Sequence, residues 1–310
     1  MSPRFGTPQQ YSTLRQFLNA SGFREEAVQA RLGIAKLSQS LGMRSNAPAD
    51  DALELLIQLF LLGESVPELP AEIHEVLLTL DLVQRDTAGW WSATVSLYPS
   101  GNVWVISDKN STSEHDDNEA EAPRVFSAIT PQTEDFLDML PHTACPAFLE
   151  MCAGAGAAAL HAGATYATHA SAFDISDRCA HMAEWSRRLN GLENVTVRQG
   201  DLYQPAGRQT FDRIAAHPPY VPSLRSEQLF RDGGEDGEFL TRRLIEGLPN
   251  YLHPGGAFYC LCLTAGVAGD PLPQRIRRWL REREREFHLV IIVRRTVEPA
   301  RLILDNWSHR

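Results

Sequence analysis

The run Phe211-Asp212-Arg213-Ile214-Ala215-Ala216-His217-Pro218-Pro219-Tyr220 holds the residues best suited to chemistry. A short apolar strand leads straight into a rigid corner. Proline fixes its φ at about −65° and has no N–H, so Pro218 and Pro219 end the ladder. A residue before proline is pushed to an extended conformation, which constrains His217. The corner gathers a ring nitrogen, a peptide carbonyl and an aromatic face. Such a set suits gripping a planar, nitrogen-bearing group.

A second constellation precedes it by about 60 residues: Glu150-Met151-Cys152-Ala153-Gly154-Ala155-Gly156. Glycines here let backbone approach a ligand closely where a helix begins. A lone G-x-G fits tight helix–strand packing equally well. Its neighbours matter more. Asp174 ends a second apolar run, 24 residues after Glu150, where an acid can grip ribose hydroxyls. Asp201 ends a third. Single aspartates at strand ends often only cap turns. Three acids at successive strand ends, followed by His-Pro-Pro-Tyr, point to a cofactor and acceptor site.

The elements that must position these residues follow from hydrophobic period. From residue 125 onward, apolar strands at 147–149, 170–173, 195–197, 211–216, 256–263 and 287–293 alternate with helical segments. That alternation predicts a doubly wound, Rossmann-like, mostly parallel α/β sheet, with ligands at the carboxyl ends of its strands. Whether residues 302–304 add a seventh strand stays open. Residues 1–107 read differently. Leu14, Phe17 and Leu18, then Leu53, Leu56, Ile57 and Phe60 after a cap at Asp50, then Ile73, Val76, Leu77 and Leu80 have helical spacing. The period then drops to two around a Pro99-Ser100-Gly101-Asn102 turn. This predicts a smaller, mainly helical, winged-helix-like domain, read as a substrate, partner or dimer surface. Residues 108–124 are polar and acidic and read as a linker. The catalytic unit then spans 125–310.

Bulk properties exclude several classes. The net charge is −10, and residues 1–124, with 9 basic and 17 acidic side chains, carry −8 of it. A phosphate backbone would be repelled there, so nucleic acid is disfavoured as a partner. The arginine-rich stretch from Arg275 onward, with its alternating Arg281–Glu286 run, reads as a solvated, salt-bridged helix. No apolar run approaches the roughly 18 residues of a membrane span, and no signal peptide is evident at the N-terminus. The cysteines, Cys145, Cys152, Cys179, Cys260 and Cys262, form no CxxC pair and are odd in number. They read as reduced thiols of a cytoplasmic protein. His161, His169 and His181 have no metal-like spacing, so no metal is expected. Cys260 and Cys262 read as core on one strand face. Trp90, Trp91 and Trp104 read as packing under the wing.

With these motifs in hand, residues 125–295 resemble the class I S-adenosylmethionine-dependent methyltransferases. Within them the chain is similar to the branch carrying an Asn-Pro-Pro-Tyr-type motif, which includes release-factor glutamine N5-methyltransferases and adenine N6-methyltransferases. Arg231-Asp232-Gly233-Gly234-Glu235-Asp236-Gly237 resembles the Gly-Gly-x-Asp-Gly segment of the glutamine side. Ile129-Thr130-Pro131-Gln132-Thr133-Glu134 resembles its Pro-x-Thr-Glu segment. The resemblance implies S-adenosylmethionine as cofactor. Glu150 and the backbone of Met151, Cys152, Ala153, Gly154 and Gly156 would hold its methionine part. Asp174 would bind the ribose diol and Ile175 would pack on the adenine. Asp201 and Leu202 would face the adenine amine and ring. His217, Pro218 and Tyr220 would hold the acceptor.

Two departures stand out. Cys152 replaces the first glycine of the loop and narrows it. His217 replaces asparagine. Neutral histidine also offers one acceptor and one donor, in another geometry, and can take a proton near neutral pH. The implied activity is methyl transfer to the nitrogen of a protein side chain or small molecule. The alternatives are an adenine-type nucleic-acid base methyltransferase, and a non-catalytic cofactor-binding scaffold. A homodimer through the N-terminal domain is one further use of that surface.

Overall fold

The computed structural model describes residues 2–109, 124–223 and 232–296. The N-terminal part holds helices α1 (Pro8–Ala20), α2 (Glu25–Leu32), α3 (Ala52–Leu56) and α4 (Ala71–Thr79). Two hairpins follow: β1 (Val83–Arg85) with β2 (Trp91–Ala93), and β3 (Ser96–Ser100) with β4 (Val103–Ser107). Local chemistry sets the helix ends. Thr7 and Gln10 form a capping box at α1, with Pro8 in its first turn. Gly33 closes α2 at φ 67°, a left-handed position that suits glycine. The cap of α3 is Asp51, one residue beyond the expected Asp50, and its side chain accepts from the Glu54 N–H at 2.8 Å. A π-helical turn, Ile57–Leu61, extends α3.

The C-terminal part runs α5 (Pro131–Asp138), β5 (Cys145–Met151), α6 (Ala157–Thr165), β6 (Ala167–Asp174), α7 (Asp177–Asn190), β7 (Val195–Gln199), β8 (Phe211–Ala216), α8 (Phe239–Tyr251), β9 (Leu252–Cys260) and α9 (Leu272–Leu280). The five strands are all parallel, in the order β7-β6-β5-β8-β9. This is the Rossmann-like sheet that the alternating pattern predicts. Strand side chains divide by parity. Phe148, Ala170 and Ala172 join the core shared with α6, α7 and the N-terminal helices. Leu149, Met151 and Phe173 face the other way, onto α8 and α9. The reversal of winding beside β5 places a crevice at the carboxyl ends of β5, β6 and β8.

Three expectations need correction. The β3–β4 hairpin is buried along its whole length and does not project as a wing. Helix α7 satisfies its edge: Asn190 Oδ1 accepts from the Trp104 N–H at 2.9 Å, and Ser186 Oγ accepts from Ile106 at 3.1 Å. Trp91, in the other hairpin, and Trp104 are both buried in the core, whereas Trp90 is 45% exposed. Residues 287–293 form no strand; Val290 and Ile292 are 81% and 80% exposed. An apolar run becomes a strand only when a ladder partner takes its backbone groups, and β9 does not pair with it. Residues 302–304 lie outside the described residues. The Arg281–Glu286 run is a 3₁₀ turn facing solvent, laced by an Arg283–Glu286 pair at 2.6 Å. The flanks of the acidic segment meet. Asp108 N–H donates to the Val125 carbonyl at 3.1 Å, Val125 N–H donates to Asp108 Oδ2 at 2.7 Å, and Arg178 of α7 pairs with Asp108.

Candidate active site

The glycine loop joins β5 to α6 above the crevice. Cys152, Gly154 and Gly156 all have positive φ, at 53°, 54° and 76°. Cys152 thus holds a left-handed conformation that favours glycine, which explains its status as a departure. An added Cβ on Gly154 would meet no atom within 4 Å, so the loop is open on that side. One on Gly156 would lie 3.0 Å from Ala183 Cβ, so that glycine serves packing of α6 on α7. The thiol of Cys152 is pushed up by burial and by Asp174, Asp201 and Glu150 around it. It is held protonated and unreactive.

Glu150 sits beneath this loop, 4% exposed. Its Oε2 accepts from the Ala159 N–H at 2.8 Å, in the first turn of α6. Burial raises its pKa to about 8, against the pull of the Ala159 and Ala158 N–H groups. It therefore holds the head of α6 in place. Met151 is fully buried, so it offers backbone only, and Ala153 is buried too. Asp174 ends β6. Its Oδ2 accepts from Gly154 N–H at 2.8 Å and its Oδ1 from Ser176 N–H at 2.9 Å. These bonds shape the loop, and the Cys179 thiol and Ile175 N–H also donate to this carboxylate. Burial, first of its causes, raises the Asp174 pKa. Ile175, next along, is 50% exposed, an apolar side chain left uncovered at the rim.

Asp201 follows β7 and is gripped by Arg243 of α8, Nη1–Oδ1 at 3.1 Å and Nη2–Oδ2 at 2.7 Å. Leu202 has a left-handed φ of 47°, and its side chain points into the core beside α8. Both residues line one cavity with Tyr203, Gln204 and Arg243.

The acceptor corner lies at the end of β8, beside the loop on β5. Pro218 is buried and Tyr220 is half-buried. The His217 ring stands between two aromatic rings, with centroids 5.5 Å from Phe136 and 5.6 Å from Tyr220. One face of Tyr220 is therefore taken by His217. Burial lowers the His217 pKa to about 4, so the ring is neutral at physiological pH. Phe136 comes from α5, two residues beyond the Pro-x-Thr-Glu segment. The Glu134 carboxylate of that segment accepts from the Ser38 N–H at 2.8 Å and from the Ser38 hydroxyl, fixing α5 against the N-terminal part.

The glycines of the second segment press on this corner. An added Cβ on Gly233 would lie 2.8 Å from Tyr220 Cα, and one on Gly237 would lie 2.5 Å from the Tyr220 carbonyl oxygen. Gly233 N–H donates to the Val221 carbonyl at 2.8 Å. Backbone lies directly on backbone, which no side chain would permit. Just beyond, buried Glu238 pairs with buried Arg275 of α9, Oε1–Nη2 at 2.5 Å, and Nε reaches Oε2 at 3.0 Å. Cys260 ends β9 and Cys262 lies past it; both are half-buried at this end of the sheet.

Sequence reasoning found the loop, the strand-end acids and the corner. It missed Phe136, which nothing in the Pro-x-Thr-Glu pattern marks, and Arg243, whose partner lies 42 residues away.

Residues 120–266 match the methyltransferase small domain. The ribosomal protein uL3 glutamine methyltransferase of Bradyrhizobium diazoefficiens is 35% identical over 130 residues, which cover 38% of this chain and 41% of that protein. The release factor glutamine methyltransferase of Geobacter sulfurreducens is 33% identical over 136 residues, covering 40% and 46%. The uL3 glutamine methyltransferase of Bordetella pertussis is 26% identical over 291 residues, covering 86% and 92%. The matched segment thus spans less than half the length of the first two relatives. The resemblance to the class I methyltransferases holds, and within them to the glutamine branch. Among the described residues, no helix is long and apolar enough to cross a membrane.

Proposed function

We propose that this chain is an S-adenosylmethionine-dependent methyltransferase that methylates the side-chain amide nitrogen of a glutamine in a protein. One observation carries the reading: the Pro-Pro-Tyr corner ends β8 beside the glycine loop on β5, and Gly233 and Gly237 buttress it from behind. A methyl acceptor and a methyl donor can therefore be held at neighbouring strand ends. The names of the relatives support glutamine and a protein acceptor.

The residues present fit the cofactor. The open side of Gly154 leaves room for a ligand, and Asp174 stands at the adjacent strand end, where its carboxylate would accept from a ribose diol. Backbone from Met151 to Gly156 would hold the methionine part, with Glu150 fixing α6 from below. Exposed Ile175 would cover the adenine, and Asp201 and Leu202 would bound its pocket. When bound, S-adenosylmethionine supplies an activated methyl group on a sulfonium. The protein's task is then alignment of the nucleophile. The Pro218 carbonyl and the neutral His217 ring would accept the acceptor's N–H hydrogens and turn its lone pair toward the donor. Acceptors there also favour positive charge developing on nitrogen. Tyr220 and Phe136 fix the His217 ring between them. With its pKa near 4, His217 is a hydrogen-bond partner and a poor base, so the proton shed by the methylated nitrogen would pass to water. The N-terminal part, joined to α7 and α5, would present the acceptor protein. A ribosomal or release-factor acceptor would place the reaction in the cytoplasm.

Isothermal titration with S-adenosylhomocysteine tests the cofactor assignment. Hydrogen bonds to a charged group contribute roughly 1.5–3 kcal/mol. Asp174→Ala should weaken binding about tenfold or more. An unchanged affinity in that variant would remove the assignment.

A further inference from the structure

Arg243 has no place in the reading above, yet its setting is specific. Its guanidinium forks both oxygens of Asp201, at 3.1 and 2.7 Å. The same group lies 5.6 Å from the ring centroid of Phe239, which is 53% exposed. Asp201 and Arg243 side chains are 43% and 37% exposed. Ion pairs this open to water contribute little stability, a median of about 0–1 kcal/mol. Stability is a weak reason for the pair. Its place is more telling, because both partners line one open depression past the end of β7, with Leu202, Tyr203 and Gln204.

The register of α8 on this loop is also fixed from inside. The Tyr203 hydroxyl donates to the Leu244 carbonyl at 2.7 Å, one residue beyond Arg243. Gly247, one turn further, leaves space for the Tyr203 ring, where an added Cβ would collide. Asp201 and Arg243 are therefore held by a buried contact between Tyr203, two residues after Asp201, and Leu244, next to Arg243. A guanidinium fork matches a carboxylate in one plane and consumes one lone pair on each oxygen. It leaves the remaining lone pairs in a defined direction, and a carboxylate offers acceptors only.

We propose that Arg243 is a positioning residue of the cofactor site, which orients Asp201 as an acceptor that selects an amino-purine over an oxo-purine. The inference rests on the reading of the loop as an S-adenosylmethionine site. An exocyclic amine at purine C6 donates to the held carboxylate. A carbonyl at that position places oxygen against oxygen and is rejected. Without the fork, Asp201 turns freely and the distinction weakens.

The test compares S-adenosylhomocysteine with S-inosylhomocysteine by titration calorimetry on the full chain. Wild type should prefer the adenosyl ligand by about tenfold or more, since an unmatched polar group at a charged partner forfeits its bond. Arg243→Gln should narrow that preference at least threefold. Arg243→Lys keeps the charge without the fork and should narrow it too. A role in folding alone would lower the melting temperature and leave the ratio intact. A retained ratio in a folded Gln or Lys variant overturns the role of Arg243 alone. Failure of wild type to bind either ligand overturns the cofactor reading beneath it.

Discussion

At the scale of single residues, three side chains decide what the site can do. His217 stands where the resembled family has asparagine, and burial between Phe136 and Tyr220 brings its pKa to about 4. A group that is neutral across the physiological range aligns a substrate and does not take up its proton. His217→Asn should therefore retain a substantial share of activity. The wild-type pH–rate profile should show no histidine limb near pH 6.5, the unperturbed value. A rate loss of about 10²–10⁴ in the asparagine variant, the usual size of a general-base contribution, would contradict this. Glu150 gives the opposite kind of titration. Its folded pKa is raised from 4.5 to about 8 by burial, so the folded protein keeps a proton that the unfolded chain releases. Its contribution to stability is complete below pH 4.5, falls as pH rises, and is gone above 8. Glu150→Gln removes this linkage. The melting temperature of the ligand-free wild type should fall from pH 5 to pH 8 more steeply than that of the variant, by calorimetry. Parallel curves would show that Glu150 is not the buried acid described. Cys152 completes the set as a side chain in a glycine's conformation, at φ 53°.

At the scale of elements, the corner depends on what lies behind it. Gly237 combines φ 73° with an added Cβ only 2.5 Å from the Tyr220 carbonyl oxygen. Gly237→Ala must move the corner, because the obstruction is backbone and cannot rotate away. Methyl transfer should fall at least tenfold while the affinity for S-adenosylhomocysteine, which the proposed site would hold at β5 and β6, stays within about twofold. Equal losses in both would mean that the segment supports the whole crevice. The same scale shows what the sequence could convey. Four of the five parallel strands were legible as short apolar runs leading to a recognisable residue, such as Asp174 or His217, whereas β9 starts at Leu252, ahead of the expected 256–263. The apolar run 287–293 has the same composition and is not a strand, since composition does not supply a ladder partner. The β3–β4 hairpin had the right period and the wrong surroundings: its burial comes from Asn190 and Ser186 of α7, far along the chain. Phe136 and Arg243 escaped for a related reason. Their significance lies in partners reached only after folding.

At the scale of the whole molecule, the N-terminal helices and hairpins share one hydrophobic cluster with the α6–α7 side of the sheet. Arg15 of α1 donates to the Arg188 and Leu189 carbonyls at 3.1 and 2.8 Å, and Trp185 donates to the Arg4 carbonyl at 2.8 Å. The His-Pro-Pro-Tyr corner is thus continuous, through α5 and Ser38, with residues 2–109, which carry 8 basic and 12 acidic side chains. That charge opposes a phosphate backbone and favours a basic protein surface as the approach to the site. Sequence patterns showed the acidic excess, and only the packing showed that residues 2–109 adjoin the corner. Methyl transfer to a glutamine side chain of a protein is the proposed reaction. The direct measurement incubates the protein with isotopically methyl-labelled S-adenosylmethionine and cell extract, separates protein from nucleic acid, and maps the label by mass spectrometry. The account predicts label in the protein fraction, on the amide nitrogen of a glutamine, and its loss in Asp174→Ala. Label on a nucleic-acid base, or no transfer to any macromolecule although S-adenosylhomocysteine binds, would contradict it.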